Sequence, residues 1–231
     1  MRIVAMIPAR SGSKGFPNKN IARFRGGCLT SHQIMAAQCC MEISEVFLNS
    51  DSLEYLMTGR NMGCEVYPRE KRLAADKVSM KAVCIDFLQH LKKCEIKCDA
   101  LLVLYPTYPL RETSDLKRII EKFKQQPHLP LIGFKKPSTH PYRCYQINSG
   151  VISQAVDHDT DKVFRRQDYP EVWEICHFAC MFPTSMIYAL NSQLISDVVN
   201  PYFIEDTERT IDIDSHEDLE KAEKYMRRWH G

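Results

Sequence analysis

The chain opens on an apolar run, Ile3-Val4-Ala5-Met6-Ile7, which reads as a short buried strand before Pro8. Thr30-Ser31-His32-Gln33 has capping-box spacing and predicts a helix reaching Met41, followed by a strand at Val46-Phe47-Leu48-Asn49. Ser50-Asp51-Ser52 caps a further helix that Gly63 stops, and a short strand, Cys64-Glu65-Val66-Tyr67, precedes Pro68. A helix from Ser79 carries Val83, Phe87, Leu88 and Leu91 at helical spacing, and Ala100-Leu101-Leu102-Val103-Leu104 reads as a fully buried strand. Thr113 caps another helix with Leu116, Ile119, Ile120 and Phe123 on one face. Strand and helix alternate, so the expected fold is α/β, a mainly parallel sheet with helices on both faces.

The alternation fails over 137–170, where Tyr, Arg, His and Asp mix without helical period. This segment is expected to be an arm that folds over the site or over a second subunit. Near the end, Thr210-Ile211-Asp212-Ile213-Asp214 alternates with period two, which predicts a strand whose isoleucines face the core while Asp212 and Asp214 project together. Ser215-His216-Glu217-Asp218 then forms a capping box for the last helix.

With 231 residues, 44% of them apolar, the chain can bury a core as one domain spanning 1–231. A formal net charge of +2 and the lack of a long Lys/Arg run argue against nucleic acid as a partner. No stretch approaches the roughly 20 apolar residues of a membrane helix, and the N-terminal stretch lacks a secretory segment, so the expected location is cytoplasmic. The 10 cysteines are scattered through apolar segments and are expected to be reduced, buried small hydrophobes.

Charge is unevenly placed: the first 41 residues hold six Lys or Arg and no Asp or Glu. Among them Ala9-Arg10-Ser11-Gly12-Ser13-Lys14-Gly15, with Lys19 and Asn20, forms a basic, glycine-containing loop directly after a strand. Backbone N–H groups turned outward there, with Arg10, Lys14 and Lys19 beside them, make an anion cradle suited to phosphate. The spacing matches neither G-x-x-x-x-G-K-[ST] nor G-x-G-x-x-G. Two carboxylates sharing one small space, as Asp212 and Asp214 would, repel unless a cation joins them, and Mg²⁺ suits the pair because it takes one or two carboxylates plus phosphates and waters.

In combination these motifs resemble the acylneuraminate cytidylyltransferases. The likeness runs from the basic loop through Asn49-Ser50-Asp51-Ser52, similar to S-T-D-S, and Arg69 with Leu73-Ala74-Ala75-Asp76 and Ser79. It continues through Tyr105-Pro106-Thr107-Tyr108-Pro109-Leu110-Arg111, similar to Q-P-T-S-P-L-R, and Arg165-Arg166-Gln167-Asp168-Tyr169-Pro170, similar to R-R-Q-D-L-P, and it ends at Ile211-Asp212-Ile213-Asp214. The fold it implies is a three-layer, Rossmann-like sheet of the nucleotide-diphospho-sugar transferase kind with a protruding dimerisation arm.

The activity it implies is transfer of CMP from CTP to the anomeric hydroxyl of a nine-carbon sugar acid, with release of pyrophosphate. Arg10, Lys19, Asp212 and Asp214 would be catalytic, with Mg²⁺ on the two aspartates. Ala9 to Lys14, Lys19, Asn20, Arg69 and Ser79 would bind the nucleotide. Tyr105, Arg111, Arg165, Arg166 and Gln167 would meet the sugar acid, the last three from the partner of a homodimer. Two departures fall on the sugar side: Tyr105 and Tyr108 replace glutamine and serine, and Ile175-Cys176-His177-Phe178-Ala179-Cys180 stands where the family has N-G-A-I-Y. They point to a different nonulosonic acid, legionaminic-like or pseudaminic-like. The alternatives are an eight-carbon keto-sugar acid and a non-catalytic CTP-binding role.

Overall fold

The structure, a computed structural model, describes residues 1–13 and 15–229. Its elements in chain order begin with β1 (Ile3–Pro8), a small ladder of β2 (Arg23–Phe24) and β3 (Gly27–Cys28), α1 (Leu29–Gln38), β4 (Glu45–Ser50), α2 (Leu53–Asn61) and β5 (Glu65–Pro68). Next come α3 (Met80–Lys93), β6 (Ala100–Val103), α4 (Thr113–Gln125), β7 (Leu131–Lys135), a hairpin of β8 (Tyr145–Asn148) and β9 (Val151–Gln154), β10 (Glu174–Pro183), β11 (Asn200–Phe203) and α5 (His216–Trp229).

Seven strands form one sheet in the order β11-β7-β10-β6-β1-β4-β5. All pairings are parallel except those of β10, which runs antiparallel to both β6 and β7. The period-two pattern divides β1 between two cores. Ile3, Ala5 and Ile7 pack with α1, α2 and α4 on one face. Val4 and Met6 pack with Val83, Cys84, Phe87 and Leu91 of α3 on the other. The result is three layers, helix on sheet on helix, because every central strand is apolar on both sides.

Two helix starts differ from the sequence expectation by a residue or two. Cys28, not Thr30, is the N-cap of α1, with Ser31 completing the capping box; Glu112, not Thr113, is the N-cap of α4, with Asp115 in the reciprocal position. Thr113 instead spends its hydroxyl on the Ala36 carbonyl, 3.0 Å away in α1. Ser52 and Ser79 cap α2 and α3 as their spacing indicates, and Gly63 takes φ +68° just past α2.

The segment 211–214 is not a strand: it is an extended stretch after a 3-10 turn at Thr207–Thr210. The alternation survives, with Ile213 buried and Asp212 and Asp214 exposed, but its one ladder-like bond runs from Ile213 N–H to the Thr107 carbonyl at 2.8 Å. Ile213 joins Phe16, Phe24, Leu29, Leu110 and Ala222 in a small satellite core, which brings α5 and the acidic segment against the basic loop.

The segment 137–170 carries the β8–β9 hairpin as a separate two-stranded ladder outside the main sheet. It projects Tyr145, Ile147, Val151 and Ile152 into solvent, Ile147 at 70% exposure.

Candidate active site

β1 lies between β4 and β6, and the chain leaves β1 toward β4 and β5 before returning to β6 on its other side. Carboxyl ends of strands at such a reversal open a crevice. Here it is a cavity of about 570 Å³ lined by Pro8, Arg10, Ser13, Gly15, Phe16, Lys19 and Asn20 from the first loop, Arg69, Asp76 and Met80 beyond β5, Tyr105, Pro106 and Thr107 beyond β6, and Asp212 and Asp214. That volume lies within the range of small-molecule sites, and the lining is mixed polar and apolar as a nucleotide-sized ligand needs.

Arg10 and Lys19 at the mouth are each met by a carboxylate. Arg10 Nη1 donates to Asp76 Oδ1 at 2.8 Å and to the Ala74 carbonyl at 3.3 Å. Lys19 Nζ donates to Asp214 Oδ1 at 2.5 Å, from the far end of the chain. Ser11 gives both its N–H and its hydroxyl to Asp51, at 3.0 and 2.7 Å. Asn20 is buried and donates to the Arg10 carbonyl at 2.9 Å, fixing the exit of the loop to its entrance. Exposed pairs of this kind contribute little to stability and exchange readily for a stronger ligand.

Arg69 is different. It is 6% exposed, and Asn49 in β4 accepts from its Nε at 2.6 Å through Oδ1 and from its Nη2 at 3.1 Å through the carbonyl. Burial pulls the guanidinium down from 12.5 to about 10, with the Asp51 charge opposing the shift. A largely desolvated cation facing a cavity is a strong electrostatic anchor for a ligand acceptor.

The loop after β6 closes the other wall. Burial holds the phenols of Tyr105 and Tyr108 well above the usual tyrosine range, and the nearby Asp212 charge pushes Tyr108 in the same direction. Both phenols stay protonated, so the Tyr108 hydroxyl near Asp212 remains neutral and able to donate. Tyr105 stacks edge-on against His177 at 5.2 Å between ring centroids. The departure at 175–180 is a register shift of β10 against β7 between Cys176 and Cys180, and Gly133 of β7 permits it, since a Cβ there would lie 2.3 Å from the Cys176 carbonyl.

Arg111, expected on the sugar side, is not in this cleft. It is 2% exposed and donates from Nε to the Phe178 carbonyl at 2.8 Å, from Nη1 to Gln33 Oε1 at 2.6 Å and from Nη2 to the His177 carbonyl at 3.3 Å. With every arm taken by α1 and β10, it clamps the loop that carries Tyr105 and Tyr108. Arg165, Arg166 and Gln167 are exposed in segment 137–170, with Arg165 paired to Asp168 and Arg166 lining a separate hollow with His140, Arg143 and Tyr169. Ser79 serves as the α3 cap beside the cleft, its hydroxyl accepting from Ala82 N–H at 3.2 Å. Lys14 lies outside the described residues.

Asp76, Met80, Thr107 and Asn49 join the site without having been singled out as binding residues. Asp76 and Asn49 stand inside quoted motifs, but nothing in a linear pattern says that their side chains meet Arg10 and Arg69. Among the described residues no group of three His, Cys, Asp or Glu could cage a metal. Asp212 and Asp214 supply two hard oxygen ligands in one cleft, which fits Mg²⁺ bound jointly with phosphates and does not require a protein cage.

The sequence pattern of the cytidylyltransferases matches residues 4–227. Similar curated proteins include the CMP-N,N'-diacetyllegionaminic acid synthase of Legionella pneumophila, 27% identical over 98% of this chain and 97% of the relative. The pseudaminic acid cytidylyltransferase of Campylobacter jejuni is 30% identical over 96% and 95%. Among solved structures, a CMP:2-keto-3-deoxy-manno-octonic acid synthetase complexed with CTP superposes with a TM-score of 0.72 at 15% identity, covering 99% of both chains. The fold is shared with a 4-diphosphocytidyl-2C-methyl-D-erythritol synthase from Anaerococcus prevotii, at a TM-score of 0.64 and 15% identity over 98% of both chains.

Proposed function

The chain belongs to the cytidylyltransferase family, and from that premise we propose that it transfers CMP from CTP to the anomeric hydroxyl of a sialic-acid-like nonulosonic acid. The α-phosphorus gains a bond to the anomeric oxygen and loses its bond to the departing pyrophosphate, and the hydroxyl proton is released.

The observation that carries the reading is the meeting of Arg10, Lys19 and Arg69 with Asp212 and Asp214 around one cleft, from three separated parts of the chain. Arg10, Ser13 and Lys19 hold the triphosphate and offset the charge of the leaving pyrophosphate, with Lys14 on the same loop. Triphosphate oxygens replace Asp76 and Asp214 as partners of Arg10 and Lys19. Asp212 and the released Asp214 would hold Mg²⁺, which supplies charge neutralisation on the phosphates when bound. Arg69 and Asn20 support recognition of the cytidine, as fixed hydrogen-bonding groups must where one base is chosen over another.

On the acceptor side, the bulk of Tyr105 in the cleft wall supports a legionaminic-like or pseudaminic-like acid. Arg165, Arg166 and Gln167, which do not line this cleft, would reach a partner's site in a homodimer. The free thiols of all ten cysteines suit a cytoplasmic enzyme, and no described helix is long and apolar enough to cross a membrane.

The test is pyrophosphate release from CTP and Mg²⁺ with N-acetylneuraminic, legionaminic, pseudaminic and eight-carbon keto-sugar acids. Release with a nine-carbon acid is expected. Release with the eight-carbon acid alone would replace the acceptor assignment, and silence despite CTP binding would favour a binding role.

A further inference from the structure

The basic loop and the buried arginine approach the ligand from different strands, yet one residue touches both. Asn49 pairs with Pro8 of β1 in register, and its carbonyl accepts from Ala9 N–H at 2.9 Å, the first residue of the basic loop. The same carbonyl accepts from Arg69 Nη2, while the side-chain Oδ1 takes the Nε proton at 2.6 Å. Asn49 is wholly buried, and its amide nitrogen is turned to the sulfur of Met6 at 3.5 Å, inside the core. Its rotamer is therefore held from below, and the guanidinium is held from above.

Two features give this a purpose beyond packing. Arg69 Nη1 has no hydrogen-bond partner among the described residues although the side chain lines the cleft, so one edge of the guanidinium is committed to Asn49 and the other is presented to the ligand. Moreover, Asn49 is neutral. A carboxylate at this position would cancel the charge of Arg69 within the protein, whereas an amide oxygen fixes the geometry and leaves the charge for a ligand acceptor. The neighbouring Asp51 is engaged by Ser11.

We propose that Asn49 is the positioning residue for Arg69, holding its free edge toward a carbonyl acceptor of the pyrimidine ring while its main chain anchors the phosphate loop. This rests on the cytidine reading above. Of the two acceptors, the side-chain Oδ1 serves Arg69, whereas the carbonyl serves both Ala9 and Arg69 Nη2. Substitution of the side chain removes the Nε acceptor but leaves the carbonyl that holds Ala9.

The experiment is calorimetric binding, without sugar acid, of CTP and of inorganic tripolyphosphate, which lacks the base, to the wild-type chain, Asn49→Ala, Arg69→Ala and the double variant. Asn49→Ala is expected to weaken CTP about ten-fold or more, to leave tripolyphosphate within about two-fold, and to add nothing in the Arg69→Ala background. Equal losses for both ligands, or independent losses that multiply in the double variant, would overturn the proposal by making Asn49 a general structural residue. Should Asn49→Ala fail to fold, Asn49→Ser, too short to reach Nε, carries the same comparison. A wild-type chain that binds CTP no more tightly than tripolyphosphate would instead overturn the cytidine reading.

Discussion

Arg111 and Arg69 show how one side-chain type serves two ends. Both are buried and both are pulled down to about 10 by desolvation. Arg111 has three protein acceptors and no place in the cleft, whereas Arg69 keeps one edge for a ligand. Replacing Arg111 by Met should strand the Gln33 side chain and two carbonyls, at a cost of about 3 kcal/mol, read as a shift in urea midpoint. Asp214→Ala should reduce turnover at least about 100-fold, the loss of several kcal/mol of transition-state stabilisation, while CTP still binds in part. Near-normal kcat in that variant would remove Asp214 from the metal pair. Local pattern alone does not separate the two, because P-L-R and an isolated Arg after a strand look alike until the partners are in place; only the resemblance put Arg69 on the nucleotide side and Arg111 on the sugar side.

At the scale of elements, caps and strand ends do the positioning. Ser79 starts α3 at the rim of the cleft, so Ser79→Ala should cost about 1 kcal/mol of thermal or urea stability through the lost cap, whatever it does to CTP binding. The shifted register of β10 depends on Gly133: Gly133→Ala would drive a methyl group into the Cys176 carbonyl. We expect a loss of about 2–4 kcal/mol, measured by denaturation, with disturbance of Tyr105 through His177 read as altered sugar-acid KM. The existence of α1 to α4 and of β1, β4, β5 and β6 followed from local pattern, but the first residues of α1 and α4 did not. Cys28 and Glu112 took the cap positions because Ser31 and Asp115 lie three residues on and return the bond, leaving Thr113 to the Ala36 carbonyl.

For the molecule as a whole, buried ionisable groups set an alkaline limit. Burial pushes the thiols of Cys64 and Cys180 up to about 12 from an ordinary value near 9. Above pH 9 the unfolded chain releases protons that the folded chain retains, so stability falls as pH rises. The two arginines act in the opposite sense, because their folded pKa values are depressed, but only between about 10 and 12.5. Between pH 9 and 10 the thiols dominate, and the buried tyrosines, raised from 10, add a smaller loss in the same sense. Urea unfolding should show a decline of at least about 2 kcal/mol there, because Cys40, Cys84 and Cys98 are raised in the same way, and Cys64→Ser should alter the pH slope beyond its constant offset.

By itself the sequence determined the layers and the chemistry on offer. Apolar runs such as Ile3–Ile7 and Ala100–Val103 can only be strands covered on both faces, amphipathic α4 can only lie on such a sheet, and an unopposed basic loop after β1 can only invite an anion. Those are consequences of local periodicity and local charge. The pairing of Lys19 with Asp214, the hold of Asn49 on Arg69, the withdrawal of Arg111 and the loss of strand character at 211–214 were decided only by tertiary structure. Each depends on which residues distant in sequence reach one another. An extended segment becomes a strand only where a neighbour offers its ladder, and an arginine becomes a clamp or an anchor according to the acceptors that the fold brings within 3 Å.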